Sequence, residues 1–469
     1  MVLVLQGKNR LDIVKDAFRA YDIRGTYPEQ IDEDLFYQIG KSIATKIQKE
    51  SNEKKIIICM DGRLTGPLLK KSLIAGLIDT GIDIIDIGIL PTPLLYFSLY
   101  QLKIDNGLMI TGSHNPKNYN GIKIVINKKT LFNEHIMRLF ETIKNSDYFN
   151  SREKGVKEFN NEIVDKYINE IRTTITIKNP FKVVIDCGNG VTGAITERIF
   201  NAFNVDHEII HENVDGNFPN HPPDPSNENN LLDIKKAVVK TQSELGIAYD
   251  GDGDRIIAIN ADGEVIWPDE LMIIFSRDIL KRNKNAKIVY DVKCTANLEK
   301  EIKKNGGIPI LSRTGHSFIK KAITEEKAKL GGEMSGHIFF ADKWYGFDDG
   351  IYTSLRLLEI LTNNKTSNIL TNLPKSISTP EINIPFDENN HIIFMKSFVE
   401  QSKFEGAKIV DIDGLKIIYD DSWGLIRCSN TTSSIVLRFE ADTDIAMKNI
   451  KSMFKKIMLR IDNALIIPF

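Results

Sequence analysis

Lys182-Val-Val-Ile-Asp-Cys-Gly-Asn-Gly-Val-Thr-Gly193 is a short apolar run that ends in an acid and breaks into a glycine-bearing turn. Valine and isoleucine suit a buried strand, and the residues after the turn take up a helical period. A second apolar run, Val205–Ile210, follows. The same design recurs twice. Lys55–Asp61 leads through Gly62-Arg-Leu-Thr-Gly66 towards Ile82–Ile87, and Lys287–Asp291 leads through Val292–Ala296 towards Ile308–Leu311. Repeated strand, helix and strand predict three α/β domains of similar topology with partly parallel sheets. The first copy also fits G-x-G-x-x-G over Gly188–Gly193, with Asp206 and Glu208 downstream, which is the fingerprint of an NAD-dependent dehydrogenase. The other two copies lack that pattern, so a structural turn is the preferred reading.

The chain has 469 residues, more than one hydrophobic core accommodates. Beyond a polar stretch, Thr362–Pro380, which reads as a linker, Lys416–Tyr419, Leu425–Cys428 and Ile435–Phe439 predict antiparallel strands. Thr443–Ile461 predicts a closing helix. The chain therefore divides into 1–158, 159–262 and 263–374, all α/β, and a smaller α+β domain, 375–469. A net charge of −2 offers no surface for nucleic acid or an anionic membrane, so any anion site must be built locally. Met1–Leu5 is too short for a signal peptide, and Asp83 and Asp86 interrupt the apolar stretch Ile82–Leu90. Cys59, Cys187, Cys294 and Cys428 stand singly, as reduced thiols of a cytoplasmic protein do.

Asp250-Gly-Asp-Gly-Asp-Arg255 joins two apolar runs, Leu245–Tyr249 and Ile256–Ile259. Alternate carboxylates fall on one side of an extended chain and repel one another unless a cation lies between them. An all-oxygen set favours Mg²⁺. An EF-hand is excluded, because Arg255 stands where its glycine and Ala261 where its glutamate would be. Thr111-Gly-Ser-His-Asn-Pro116, before Lys123, is either a plain hairpin connection or a loop presenting Ser113 as a nucleophile. In Gly332-Glu-Met-Ser-Gly-His337, Glu333 and Ser335 share a side if the loop is extended and suit sugar hydroxyls. Arg427, Ser429, Asn430 and Thr431 make either a phosphate cradle or a hydroxyl-stabilised turn. Arg24 falls in a turn near the N-terminus and His316 at a helix start, and alone neither carries a function.

Together with Val214-Asp-Gly-Asn-Phe-Pro-Asn220 and Asp291-Val-Lys-Cys294, these stretches resemble the α-D-phosphohexomutases, specifically the bacterial phosphomannomutase/phosphoglucomutase branch, over essentially the whole chain. The resemblance implies four domains around a central cleft. It implies that Ser113 carries the phosphoryl group and that Asp250, Asp252 and Asp254, with a phosphoserine oxygen, hold Mg²⁺. Glu333 and Ser335 would hold sugar hydroxyls, and Arg427, Ser429, Asn430 and Thr431 the phosphate that does not react. Tyr21, Arg24, Lys123, Arg255, Lys293, His316 and His337 would line the cleft as substrate contacts or acid–base groups. The implied reaction interconverts hexose 1- and 6-phosphates of mannose and glucose through a hexose 1,6-bisphosphate, which also serves as activator. Lys123, Arg24, His316 and His114 all stand open as the proton-transfer group. Phosphoglucosamine mutase is the nearest alternative, ranked lower because Gly112 and Met334 resemble the phosphomannomutase/phosphoglucomutase form.

Overall fold

The computed structural model describes residues 14–178, 181–363, 367–387, 390–429 and 434–469. All three repeated units form as expected. Lys55–Met60 is a strand, Gly66–Asp79 a helix and Asp83–Ile89 a strand parallel to the first. Val183–Asp186, Gly193–Ala202 and His207–Ile210 repeat the pattern, as do Lys287–Asp291, Ala296–Lys304 and Ile308–Ser312. The sheets are mixed because hairpins are added to these parallel cores. Tyr119–Ile126 runs antiparallel to both Gly107–Ile110 and Ile23–Thr26, and Ile256–Asn260 antiparallel to Leu245–Tyr249.

The described residues divide into two compact units. One runs up to Leu271 and includes Ser335–Leu370; the other comprises Met272–Met334 and Thr371–Phe469. The first unit holds two of the α/β sheets. The second holds the parallel strands Ile308–Ser312, Lys287–Asp291 and Leu330–Gly332, and the C-terminal antiparallel sheet. In that last sheet Ser434–Ala441, Ser422–Cys428, Leu415–Ile418 and Lys408–Val410 follow one another as antiparallel neighbours. The closing helix is Asp444–Ile461, capped by the Thr443 hydroxyl, which accepts the Ala446 N–H at 3.2 Å.

Two expectations change. Thr362–Pro380 is not a plain linker: Ser367–Thr371 is helical, and Ile377–Ser378 pairs with Ala441 and Glu440 at the edge of the C-terminal sheet. A two-residue edge strand has too short an apolar pattern to show in the sequence. Arg24 lies on the strand Ile23–Thr26 and not in a turn, because Gly121 pairs with it across the sheet.

The helices Glu33–Glu50 and Gly66–Asp79 cross at glycines. A Cβ on Gly40 would lie 2.4 Å from the Leu73 carbonyl oxygen, and one on Gly76 would lie 2.1 Å from that of Tyr37. Alanine at position 76 gains helix propensity worth about 1 kcal/mol at most, but it forces two backbones apart. Gly76→Ala is expected to destabilise the protein by about 1–3 kcal/mol in urea unfolding, the cost typical of overpacking. A neutral or stabilising result would contradict the close approach.

Candidate active site

Ser113 follows the strand Gly107–Ile110 and has a left-handed backbone, φ +48°. That conformation is unusual for a residue with a side chain and must be held by its surroundings. Asp61, at the end of the first repeat strand, does part of this: its Oδ2 accepts the Thr111 hydroxyl at 2.7 Å and the Gly112 N–H at 3.2 Å. The Thr111 hydroxyl oxygen in turn accepts the Ser113 N–H at 2.7 Å. Arg63 does the rest. Its guanidinium donates to the carbonyls of Ser113 (2.8 Å), Asn115 (2.6 Å), Pro116 (2.7 Å) and Tyr119 (2.8 Å), and pairs with Asp61 at 3.2 Å. Both side chains of the pair are almost fully buried. A Cβ on residue 112 would lie 2.5 Å from Arg63 Cζ, so this clamp requires Gly112. Arg24 reaches the same loop, donating to Asn115 Oδ1 at 2.6 Å.

The carboxylate turn closes the expected hairpin, and Asp250, Asp252 and Asp254 are fully buried. One oxygen from each lies within 4.8 Å of the others. At about 4 Å two like charges repel by ~4 kcal/mol even at an effective dielectric of about 20, so cations must share the turn. Lys123, from the strand after the serine loop, donates to Asp252 Oδ2 at 2.7 Å and Asp254 Oδ2 at 2.5 Å. Burial works against its charge, but the two carboxylates prevail and hold the amine well above its ordinary range. Burial also works against the Asp252 charge, and Lys123 with the Thr92 hydroxyl (2.6 Å) keeps it well below the usual carboxylate range. Burial and the charges of Asp252 and Asp254 push Asp250 well above it. The Ser113 hydroxyl donates to Asp250 Oδ2 at 3.0 Å, and so sits on this acidic turn.

Further groups brace the turn. Arg255 donates its backbone N–H to Asp250 Oδ1 at 3.1 Å and its Nε–H to His337 Nε2 at 3.0 Å. The Nε2 of His337 is therefore an acceptor, and its Nδ1 faces Asp254 at 3.3 Å and Asp348 at 3.0 Å. His114 Nδ1 lies 3.3 Å from Ser113 Oγ. Burial, then Arg255 and Arg24, hold this imidazole well below its ordinary value, so it is neutral. Asp252 Oδ1 is buried without a hydrogen bond among the described residues, an acceptor that suits a metal ion. Tyr21 is buried in the same unit.

The second unit gathers its own set. Lys293 donates to Glu381 at 2.5 Å, and its charge is favoured by Glu381 and Asp291 against the cost of burial. Asp413 accepts from Arg427 Nε and from the Thr314 N–H, each at 3.0 Å. Glu333 accepts the Gly315 N–H, directly before His316 at the start of the helix His316–Glu326. Lys293 and Arg427 are thus each held by an acid of this unit, and Glu333 braces the backbone just before His316. Ser429 donates its N–H to the Ser434 carbonyl at 2.9 Å. Ser335 falls in the first unit, and Asn430 and Thr431 lie outside the described residues. Sequence reasoning missed Arg63, Thr92, Asp348, Glu381 and Asp413 as parts of the site. Asp61 was visible only as the acid that ends a repeated strand.

The glycine turn that suggested a dinucleotide is filled by protein. Val191 donates its N–H to the Gly251 carbonyl at 3.1 Å, and a Cβ on Gly190 would lie 2.9 Å from that oxygen. A serine on a carboxylate turn, with buried lysine and arginine around it, is the equipment of a metal-assisted phosphotransferase. Comparison with known proteins agrees. Family models for phosphoglucomutase/phosphomannomutase match in chain order: alpha/beta/alpha domain I over residues 15–149, domain II over 165–263, domain III over 267–377 and the C-terminal domain over 381–457. The chain is 42% identical over 454 residues to a phosphomannomutase/phosphoglucomutase of Pseudomonas aeruginosa, covering 96% of this chain and 97% of that protein. It is 43% identical over 451 residues to a phosphoglucomutase of Neisseria meningitidis, covering 95% and 97%. A crystal structure of a phosphoglucomutase/phosphomannomutase family protein from Burkholderia thailandensis superposes with a TM-score of 0.91 at 39% identity, covering 97% of this chain and 99% of that one. The chain belongs to the phosphoglucomutase/phosphomannomutase family of α-D-phosphohexomutases, with its three α/β domains and a C-terminal α+β domain.

Removing Arg63 would leave the Asp61 carboxylate buried without its cation. Arg63→Ala is expected to cost about 3–5 kcal/mol in denaturant unfolding, as loss of one buried partner does. Arg63→Lys keeps a charge but cannot fork to four carbonyls. Steady-state kinetics should show kcat lowered about tenfold or more with KM little changed, because the lost element positions Ser113. Unchanged kcat in a folded Arg63→Lys variant would exclude that role.

Proposed function

We propose that this chain is a phosphomannomutase/phosphoglucomutase in which Ser113 carries the phosphoryl group. The observation that carries the reading is the Ser113 hydroxyl 3.0 Å from Asp250, with Lys123 bridging Asp252 and Asp254. In the forward half-reaction the phosphoryl group passes from Ser113 Oγ to O6 of a hexose 1-phosphate, and the 6-hydroxyl loses its proton. The resulting 1,6-bisphosphate turns end for end and returns its O1 phosphate to Ser113, leaving hexose 6-phosphate. The same bisphosphate, supplied in trace, would charge the serine and act as activator.

Asp250, Asp252 and Asp254 would hold Mg²⁺, for which their all-oxygen donor set and the unpartnered Asp252 Oδ1 are suited. Bound there, the ion would neutralise charge on the transferring phosphate. Lys123, held cationic, serves as a charge donor to that phosphate and not as a base. His114 lies beside Ser113 Oγ, but the burial and arginines that hold it neutral also make it a weak base. Arg24 and Tyr21 would contact substrate near the serine loop, while Arg255 and His337 keep the carboxylate turn in shape. Glu333 and Ser335 would receive the sugar hydroxyls, with Lys293 and His316 as further contacts. Arg427, Ser429, Asn430 and Thr431 would hold the phosphate that does not react. None of these contacts reads C2, so mannose and glucose phosphates should both be accepted. No helix among the described residues is long and apolar enough to cross a membrane, and the four cysteines are free. Both are compatible with work in the cytoplasm on soluble phosphosugars.

A coupled assay on mannose 1-phosphate, glucose 1-phosphate and glucosamine 1-phosphate, with Mg²⁺ and a trace of hexose 1,6-bisphosphate, tests the substrate class. Turnover of the first two at comparable kcat/KM is expected. A preference of roughly a hundredfold or more for one would reject dual specificity. Preference for glucosamine 1-phosphate would instead favour the phosphoglucosamine mutase alternative. Asp252→Asn removes the charge that Lys123 and the ion share. It is expected to lower kcat by roughly 10²–10³, the loss typical for one electrostatic stabiliser, and to raise the Mg²⁺ concentration needed for half-maximal rate.

A further inference from the structure

Asp186, His211 and His221 lie apart from the chemistry just described, around the glycine turn of the second α/β domain, and one donor atom from each falls within 4.8 Å of the others. We propose that these three residues form a second cation site, specific for a late first-row divalent ion such as Zn²⁺, which fastens the segment 211–223 to the end of the strand Val183–Asp186.

The geometry of His221 is the starting point. Its Nδ1 lies 2.8 Å from the Pro222 carbonyl oxygen, which can only accept, so Nδ1 carries a proton. Its Nε2 then lies 3.1 Å from Asp186 Oδ2, a contact made favourable either by a second proton on the ring or by a metal ion shared by the two atoms. A carbonyl-anchored imidazole with its second nitrogen free is the usual arrangement of a metal-bound histidine. Asp186 is likewise prepared: its Oδ1 is held by the Gly188 N–H at 2.8 Å, leaving Oδ2 to the shared space, and its side chain is almost fully buried.

A second proton on His221 would satisfy that pair alone. His211 is the reason to prefer a metal. Its ring meets that of His221 edge to face at 5.2 Å, and its Nε2 is buried without a hydrogen bond among the described residues. The nearest acid to that nitrogen is Asp233, whose Oδ2 lies 3.4 Å away. The residue has a left-handed backbone, φ +50°, which costs energy for a side chain of this size. Two imidazoles and a carboxylate are a borderline donor set that suits Zn²⁺ and its neighbours, whereas the all-oxygen turn at Asp250 suits Mg²⁺. The two sites would therefore sort different ions.

The fastened segment is also in contact with the turn that carries Arg63 and with the carboxylate loop. Gly216 packs on the Gly62–Leu64 backbone, where a Cβ would lie 2.6 Å from Leu64 N, and the Gly251 N–H donates to the Pro223 carbonyl at 3.2 Å. Metal at this site should stiffen that packing.

Titration calorimetry of the full chain with Zn²⁺, in excess Mg²⁺, tests the proposal. One Zn²⁺ per chain is expected, with a higher melting temperature and, for Co²⁺ in its place, visible absorption from nitrogen ligation. Asparagine tolerates the left-handed backbone, so His211→Asn should fold. It and His221→Asn should each weaken Zn²⁺ about tenfold or more and remove the Co²⁺ bands. Absence of Zn²⁺ uptake by the parent chain would overturn the proposal. So would Zn²⁺ binding unchanged in both variants, which would place the ion at the carboxylate turn or the thiols.

Discussion

Three carboxylates buried in one short turn must be met by positive charge inside the protein, and the active region is organised around that requirement. Asp250, Asp252 and Asp254 have no exposed surface. The cation that answers two of them, Lys123, comes from the hairpin that also carries Ser113. Neutralising the turn therefore brings the serine to it. Thr92 and Arg255 add hydrogen bonds to the carboxylates, and His337 faces Asp254 from the other side. Lysine and arginine supply less positive charge than the three acids and a phosphoserine would carry, which leaves room for a divalent ion.

The serine loop is held by a different means. Its left-handed residue is fixed mostly through main-chain carbonyls gathered on Arg63, with Asp61 orienting the guanidinium. Strain at Ser113 is thus borne by a buried ion pair next to it. The second unit holds a set of its own, in which acids orient the cations: Glu381 on Lys293 and Asp413 on Arg427.

How much could be read beforehand depended on how local each feature was. The repeated strand, turn and helix were legible because apolar runs ending in Asp61, Asp186 and Asp291 recur with the same period change. Asp250–Arg255 was legible because its two strands are adjacent in sequence and its charges cannot be ignored. Lys123 stood out beside the serine, but its contact with Asp252 spans 129 residues and has no local signal. Arg63 was hidden for another reason: its partners are backbone oxygens, which every residue possesses. Ile377–Ser378 was read as linker because two residues are too few to show alternation. Glu381 and Asp413 were overlooked because a single acid near a loop is unremarkable until its cation is known.

Ser113 is proposed to carry the phosphoryl group between the two ends of the sugar. The most direct test is transfer from radiolabelled glucose 1,6-bisphosphate to the protein in Mg²⁺, followed by intact mass and peptide mapping. One added phosphate, about 80 Da, is expected on the peptide containing Ser113, lost again when unlabelled hexose 1-phosphate is added and absent from Ser113→Ala. Label on another residue, or sustained mutase turnover by Ser113→Ala, would contradict it.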